Sequence, residues 1–116
     1  LYTLGLGDGL VAFPGGDGAL FRSIYCRLPE RRFVADSMVA PRMLVQLAID
    51  TLGQVTQVTT RFLGAPPVDH ELEATIDSIL LDLPPWRPAR VNGHKRPSGY
   101  IIPLQFSLER RAAYCR

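Results

Sequence analysis

A stretch near the C-terminus alternates between two kinds of side chain, and it constrains the fold more than any other part of the chain. Every second residue is apolar at Tyr100, Ile102, Leu104, Phe106 and Leu108. The residues between them are Ile101, Pro103, Gln105 and Ser107. This period of two predicts a half-buried β-strand whose apolar face is turned to a core.

Pro103 indicates where this strand lies in its sheet. Proline has no N–H to donate to a neighbouring strand, so we expect an edge strand with this position facing outward. A long edge strand exposes main-chain groups that can pair with another chain. We interpret the edge as a docking slot for an extended peptide. The alternative is an inert edge that Pro103 protects against aggregation.

The first half of the chain predicts one helix and two strands. The helix begins at Asp17, a candidate N-cap, and ends before Pro29. Alternation over 43–49 and a Val- and Thr-rich run over 54–62 predict two strands, joined by a hairpin at 50–53. The helix carries an apolar stripe at helical spacing, formed by Leu20, Phe21, Ile24, Tyr25 and Leu28.

A second helix follows a break over 64–67. Asp69 is its candidate N-cap, and Pro84-Pro85 ends it. Its apolar stripe consists of Leu72, Ile76, Ile79, Leu80 and Leu83. Between the first helix and the first strand, residues 30–40 permit only a short helical turn.

The predicted fold class is therefore α+β, with element order α-β-β-α-β. A three-stranded antiparallel sheet then needs the order 2-1-3, with both helices packed on one face. This order leaves the last strand at an edge, in agreement with Pro103. We expect residues 1–13 to form a lead-in or linker segment, residues 14–108 the folded domain and residues 109–116 a C-terminal tail.

Composition excludes several classes of function. The 116 residues suffice for one domain, and the net charge is only +2. A basic cluster at Arg87, Arg90, Lys95 and Arg96 either touches an acidic partner or is a solvated loop. Nucleic-acid binding has little support, because the chain has no stripe of basic residues interleaved with aromatic ones. No apolar run is long enough to span a bilayer. Asp69-His70-Glu71 is a weak signal for a small hydrolase or metal-binding protein, so we expect neither catalysis, nor a metal, nor a cofactor.

Two cysteines, Cys26 and Cys115, stand far apart without metal-ligand spacing. They either form a disulfide in an oxidising compartment or remain two thiols, and the sequence alone leaves both alternatives open.

A series of short motifs occurs in order from Phe13 to Leu108. The series comprises Phe13-Pro14-Gly15-Gly16, Ala19-Leu20, the hairpin Asp50 to Gly53, Pro66, Asp69, Glu71, Pro84, Trp86-Arg87-Pro88, Asn92-Gly93, Pro103-Leu104, Phe106 and Leu108. Together they resemble the C-terminal domain of TonB energy transducers, and the Pro-Gly-Gly opening is typical of the Bacteroidetes-type branch. The chain departs from that pattern at Glu30-Arg31, where the family has Tyr-Pro, and at His94-Lys95-Arg96, where it has Lys-Pro-Val.

The resemblance implies a periplasmic domain of a protein anchored in the inner membrane. Such a domain binds the TonB box of outer-membrane TonB-dependent receptors by β-strand addition to its last strand. Through the ExbB/ExbD motor it couples the proton-motive force to uptake of iron chelates, vitamins or glycans. A TonB-like adaptor or sensor domain that is not coupled to transport is the alternative. A strand-exchanged homodimer is a further possible partner arrangement, because the same edge can pair with itself.

The expected partner-binding residues are Gly99, Tyr100, Ile101, Ile102, Pro103, Leu104, Gln105, Phe106 and Ser107. Among them, Ile101, Gln105 and Ser107 would offer side chains on the face away from the helices, and Gly99 would let a peptide backbone approach closely. Arg87 and Arg90 are candidates for steering acidic residues of the peptide. The expected structural residues are Pro14, Gly15, Gly16, Gly53, Trp86, Asn92 and Gly93.

Overall fold

A three-stranded sheet, a small two-stranded hairpin and three helices make up the described part of the chain, which comprises residues 11–64 and 69–115 of a computed structural model. The expected break over 65–67 and the expected lead-in over 1–10 lie outside the described residues, as does Arg116. In chain order the elements are α1 (Gly16–Tyr25), β1 (Arg42–Ile49), β2 (Val55–Leu63), α2 (His70–Leu81), β3 (Ala89–Val91), β4 (His94–Arg96), β5 (Ser98–Gln105) and α3 (Leu108–Tyr114), with a 3₁₀ turn at Glu30–Arg32.

The main sheet confirms the predicted strand order. Its order is β2-β1-β5, and both pairs are antiparallel, so β5 is an edge strand of this sheet. Val45 in the middle of β1 lies opposite Ile102 of β5 and Thr60 of β2. The hairpin between β1 and β2 turns at Gly53, whose φ of 80° is the left-handed conformation expected of this glycine.

The apolar core lies between one face of the sheet and the helices, as predicted. Side chains of β1 alternate between this buried face and an outer face, which is the reason for the period of two in the sequence. Burying each Leu or Ile here contributes about 1.5–3 kcal/mol to stability. The buried set includes Leu20, Ile24, Met43, Val45, Leu47, Ile49, Leu72, Ile76, Leu80, Ile102, Leu104 and Phe106.

The starts of α1 and α2 differ in how they are capped. Asp69 caps α2 as predicted, since its side chain accepts the N–H of Leu72 at 3.0 Å. The predicted cap at Asp17 is wrong: Gly15, in a left-handed conformation with φ of 88°, occupies the N-cap position, and no side chain of the described residues caps the helix. The Pro14-Gly15-Gly16 turn closes through the N–H of Gly16, which donates to the carbonyl of Phe13 at 2.9 Å.

A second hairpin stands where the sequence indicated only a basic turn. Strands β3 and β4 are antiparallel and are joined by Asn92 and Gly93, whose φ angles of 51° and 76° are both positive. A two-residue loop of this kind with two positive φ angles is the preferred hairpin connection, because its twist matches that of the strands. Asn92 and Gly93 therefore form the turn of this hairpin.

The last strand is shorter than predicted, and the expected tail contains a helix. β5 ends at Gln105, and α3 begins at Leu108, which therefore does not extend the apolar face of the strand. Ser107 is the N-cap of α3, because its side chain accepts the N–H of Arg110 at 3.1 Å. A disulfide between Cys26 and Cys115 connects the end of α3 to the end of α1.

The folded body also begins earlier than Pro14. Val11 and Phe13 are buried in the core, and Ala12 forms an antiparallel bridge with Arg87. Phe13 packs edge-on against Trp86, with their ring centroids 5.2 Å apart. Residues 11–13 are thus part of the domain.

Candidate functional site

The outer edge of β5 is the candidate site, and one hydrogen bond shows which main-chain groups face it. The N–H of Gln105 donates to the hydroxyl of Tyr25 at 3.1 Å and so points away from β1. Main-chain groups alternate between the two sides of an antiparallel strand. The main-chain groups of Pro103, Ile101 and Gly99 therefore face outward too, and the proline lies where its missing N–H costs no bond to β1.

The intervening residues hold the strand in the sheet. Ile102 and Leu104 lie opposite Val45 and Met43 in β1, and their side chains are buried. Beyond the strand, the N–H of Phe106 donates to the carbonyl of Pro41 at 2.9 Å. These members of the predicted contact set therefore position the edge and would not touch a peptide with their side chains.

The C-terminal end of this edge is closed by the chain itself. The N–H of Val34 donates to the carbonyl of Phe106 at 2.9 Å, and the N–H of Leu108 donates to the carbonyl of Val34 at 2.8 Å. The side-chain amide of Gln105 donates to the carbonyl of Ser37 at 2.9 Å. An added strand would therefore end near Pro103.

Ser107 must be removed from the predicted contact residues. It lies beyond β5, is 1% exposed, and its hydroxyl is engaged as the cap of α3. Gln105 lies on the strand as predicted, but its side-chain amide is already bonded. Of the three side chains expected to offer contacts, Ile101 is the one that points outward without such a bond, at 42% exposure.

At the other end of the edge, Tyr100 anchors β5 to the first helix. Its hydroxyl donates to Asp17 at 2.6 Å, and its ring packs on Trp86 with centroids 5.0 Å apart. Burial, together with the hydrogen bond to the Asp17 carboxylate, raises the pKa of Tyr100 to about 12. Gly99 beside it is buried, which does not favour the close approach of a peptide backbone expected there, whereas Ile101 and Pro103 are exposed.

Trp86 is a core residue, as predicted, and its main chain lies so close to position 53 that only a glycine fits there. Trp86 is 2% exposed, and its main-chain N–H donates to the carbonyl of Gly53 at 2.7 Å. A Cβ at Gly53 would lie 1.9 Å from the carbonyl oxygen of Trp86. This contact joins the β1–β2 hairpin to the segment that leads into β3, and through Tyr100 it supports the start of the edge.

The two candidate steering residues are both exposed. Arg87 forms main-chain hydrogen bonds with Ala12, with N···O distances of 2.8 and 3.1 Å. The guanidinium of Arg90 donates to the carbonyl of Gly93 at 3.3 Å. Neither guanidinium forms an ion pair with a carboxylate among the residues that the structure describes.

The sequence Asp69-His70-Glu71 has a structural role. Asp69 caps α2 and pairs with Arg32 at 2.7 Å, while Glu71 pairs with both Arg31 and Arg32. The N–H of Leu72, and then the charge of Arg32, hold the pKa of Asp69 below its usual value. Within residues 11–64 and 69–115, no group of three or more His, Cys, Asp or Glu side chains could hold a metal ion.

Sequence reasoning missed the groups that close the C-terminal end of the edge. No local pattern marks the hydroxyl of Tyr25 or the segment from Val34 to Ser37 for this role, because both act across long sequence separations. Helix α3 did have a signal, since Ser107 followed by Leu-Glu-Arg-Arg-Ala-Ala is a capped helix start. The alternation up to Leu108 concealed it.

None of the helices in the described part of the chain is long and apolar enough to cross a membrane. Comparison of the chain with protein-family models, with curated proteins and with solved structures gave no match.

Proposed function

We propose that this domain binds an extended peptide, which adds as a further strand along the outer edge of β5 from Gly99 to Pro103. The observation that carries the proposal is the position of β5: among the described residues it has a strand neighbour, β1, on one side only. The edge is stabilised at both ends, by Tyr100 at its start and by Tyr25 at its close. It therefore presents a short preformed template.

The main-chain groups available for this pairing set a modest affinity. They are the N–H groups of Gly99 and Ile101 and the carbonyls of Gly99, Ile101 and Pro103. Each such hydrogen bond contributes roughly 0.5–1.5 kcal/mol net. Ordering a flexible peptide offsets part of the sum, so we expect a Kd near the micromolar range, on the order of 10⁻⁶ M.

The partner that we propose is the TonB box of an outer-membrane TonB-dependent receptor, within a periplasmic energy transducer. The motifs that resemble the TonB C-terminal domain support this, and so does the arrangement of two helices on one face of a β2-β1-β5 sheet with its last strand at the edge. The Cys26–Cys115 disulfide is in keeping with an oxidising compartment. In the full protein an inner-membrane motor would supply the force.

Binding of receptor peptides tests this proposal. The probes are synthetic peptides spanning the TonB boxes of outer-membrane receptors, and the measurement is isothermal titration calorimetry with the full 116-residue chain. Ile101→Pro removes an outward N–H, whereas Ile101→Ala keeps it and trims only the side chain. We expect the proline variant to lose at least about tenfold in affinity, or about 1.4 kcal/mol, and the alanine variant much less.

The pair of variants makes the result decisive. Equal binding by Ile101→Pro and by the unmodified chain would contradict strand addition at β5. Failure of every receptor peptide, while a pull-down from outer-membrane extract recovers no TonB-dependent receptor, would contradict the choice of partner.

A further inference from the structure

The β3–β4 hairpin concentrates positive charge without any acidic residue of its own. From position 87 to 97 the chain has Arg87, Arg90, Lys95 and Arg96, together with His94, and no Asp or Glu. All five are exposed. The hairpin carries no exposed large apolar side chain, so charge is its main chemical feature.

The register of the hairpin places two cations face to face. Arg90 lies directly opposite Lys95 across the β3–β4 pair. Like charges at such a position are destabilising, and an isolated two-stranded hairpin is only marginally stable. No carboxylate among the described residues pairs with either side chain. The arrangement would become favourable if an anion of a partner lay between or beside the two cations.

Elsewhere in the molecule several arginines are neutralised by carboxylates of the chain itself. Arg27 pairs with Asp82 at 3.3 Å, and Arg111 lies 3.6 Å from Glu30. Arg32 pairs with two carboxylates of the start of α2. The hairpin therefore differs from the helical side of the domain, where acidic partners are close at hand.

The hairpin also lies at one end of the proposed slot. β4 ends at Arg96 and β5 begins at Ser98, so Arg96 is three residues from Gly99. Three residues span at most roughly 10 Å, which is close to the Debye length of about 8 Å at physiological salt. The other end of the slot is mixed in charge, because Asp36 and Glu109 lie near Ser37, while Arg110 lies close to Gln105.

We propose that the hairpin binds acidic residues of the incoming peptide, at the flank that runs past Arg90 and Lys95. The inference rests on strand addition to β5 and adds the chemistry of the partner: a short extended core with Asp or Glu at one end only. The main chain of β5 would supply pairing, which is largely independent of sequence, and the hairpin would supply selection.

Selection from a displayed library of random peptides tests the inference without a known ligand. The full chain is the bait, and binders are kept if Ile101→Pro abolishes their binding. We expect these binders to be enriched in Asp and Glu at one end of the paired core. A synthetic binder is then compared with a version in which the acidic flank is changed to Asn and Gln.

Two double variants locate the effect on the protein. Arg90→Gln with Lys95→Gln removes the facing cations, and Arg22→Gln with Arg61→Gln removes the same net charge from α1 and β2. The first pair is expected to weaken binding of the acidic peptide about three- to tenfold and to leave the neutral version unchanged. The control pair should have a smaller effect, and added salt should reduce the difference.

Each outcome has a distinct meaning. Binders that need Ile101 but show no acidic flank, or that ignore the loss of Arg90 and Lys95, would overturn this inference and leave strand addition intact. A selection that yields no binder sensitive to Ile101→Pro would overturn strand addition, and the inference with it.

Discussion

The hydroxyl of Tyr25 accepts the main-chain N–H of Gln105 at 3.1 Å, and so a helix side chain occupies a position that a further strand would otherwise take. Tyr25 is fully buried, and burial raises the pKa of its hydroxyl, which therefore remains a neutral partner for the N–H. The outward main-chain groups of β5 before this bond are available to a further strand, whereas the N–H of Gln105 is already occupied.

Replacing Tyr25 by Phe removes that acceptor and keeps the ring. We expect Gln105 to lose protection in amide hydrogen exchange, and the domain to lose about 0.5–1.5 kcal/mol of stability. The amide of Ile102, which lies opposite Val45 in β1, should stay slow and is the internal control. Unchanged exchange at Gln105 would show that another group protects it.

Proline substitutions at adjacent positions of β5 should destabilise the domain to very different extents. Ile101→Pro affects an outward-facing N–H and an exposed side chain, so we expect a loss of about 1 kcal/mol or less. Ile102→Pro removes a bond to β1 and a fully buried side chain, and we expect a loss of about 3 kcal/mol or more. Urea unfolding measures both. Similar losses at the two positions would contradict the assignment of outward and inward groups.

The strand order of the sheet could be predicted from the sequence because it depends on local sequence patterns. Alternation in β1 and β5, the turn at Gly53 and the absent N–H of Pro103 each limit the fold separately, and together they leave one strand order. The N-cap at Asp69 could likewise be predicted from the sequence. The predicted cap at Asp17 was wrong because Gly15 and Gly16, both with positive φ, place the N-cap two residues earlier, and the carboxylate of Asp17 accepts the hydroxyl of Tyr100 instead.

The extent of the candidate slot was beyond the reach of the sequence. Val34 bridges to Ser107 across more than half of the chain, and no periodicity relates the two residues. The basic cluster could be recognised in the sequence. That Arg90 lies opposite Lys95 is known only from the register of the hairpin. The local alternation predicted a site that extends to Ser107. Contacts with distant segments occupy its C-terminal end, so the available edge is shorter than predicted.

Tyr100 makes stability depend on pH in the alkaline range. Its pKa is raised to about 12 in the folded state, against about 10 in an unfolded chain. Its contribution is therefore complete below about pH 10 and is lost as the pH rises towards 12. Tyr100→Phe should be less stable than the unmodified chain near neutral pH, and the difference should shrink between these values. A constant difference would contradict the bond to Asp17.

The disulfide should account for much of the stability of the C-terminal helix. Cys26 and Cys115 are separated by 89 positions, and closing a loop of that size stabilises a fold by at most about 4–5 kcal/mol. α3 itself has only seven residues and no fully buried side chain. We expect Cys26→Ala with Cys115→Ala to lower the Tm strongly. Reductant should destabilise the unmodified chain and have no effect on the double variant.

The most direct test of the central claim follows individual amides of β5 while a peptide is bound. In amide hydrogen exchange with a TonB-box peptide in excess, the N–H groups of Gly99 and Ile101 should become protected, because they would donate to the added strand. Those of Ile102 and Leu104 should change little, since they already face β1. Saturating peptide that leaves Gly99 and Ile101 in unaltered exchange would contradict binding at this edge.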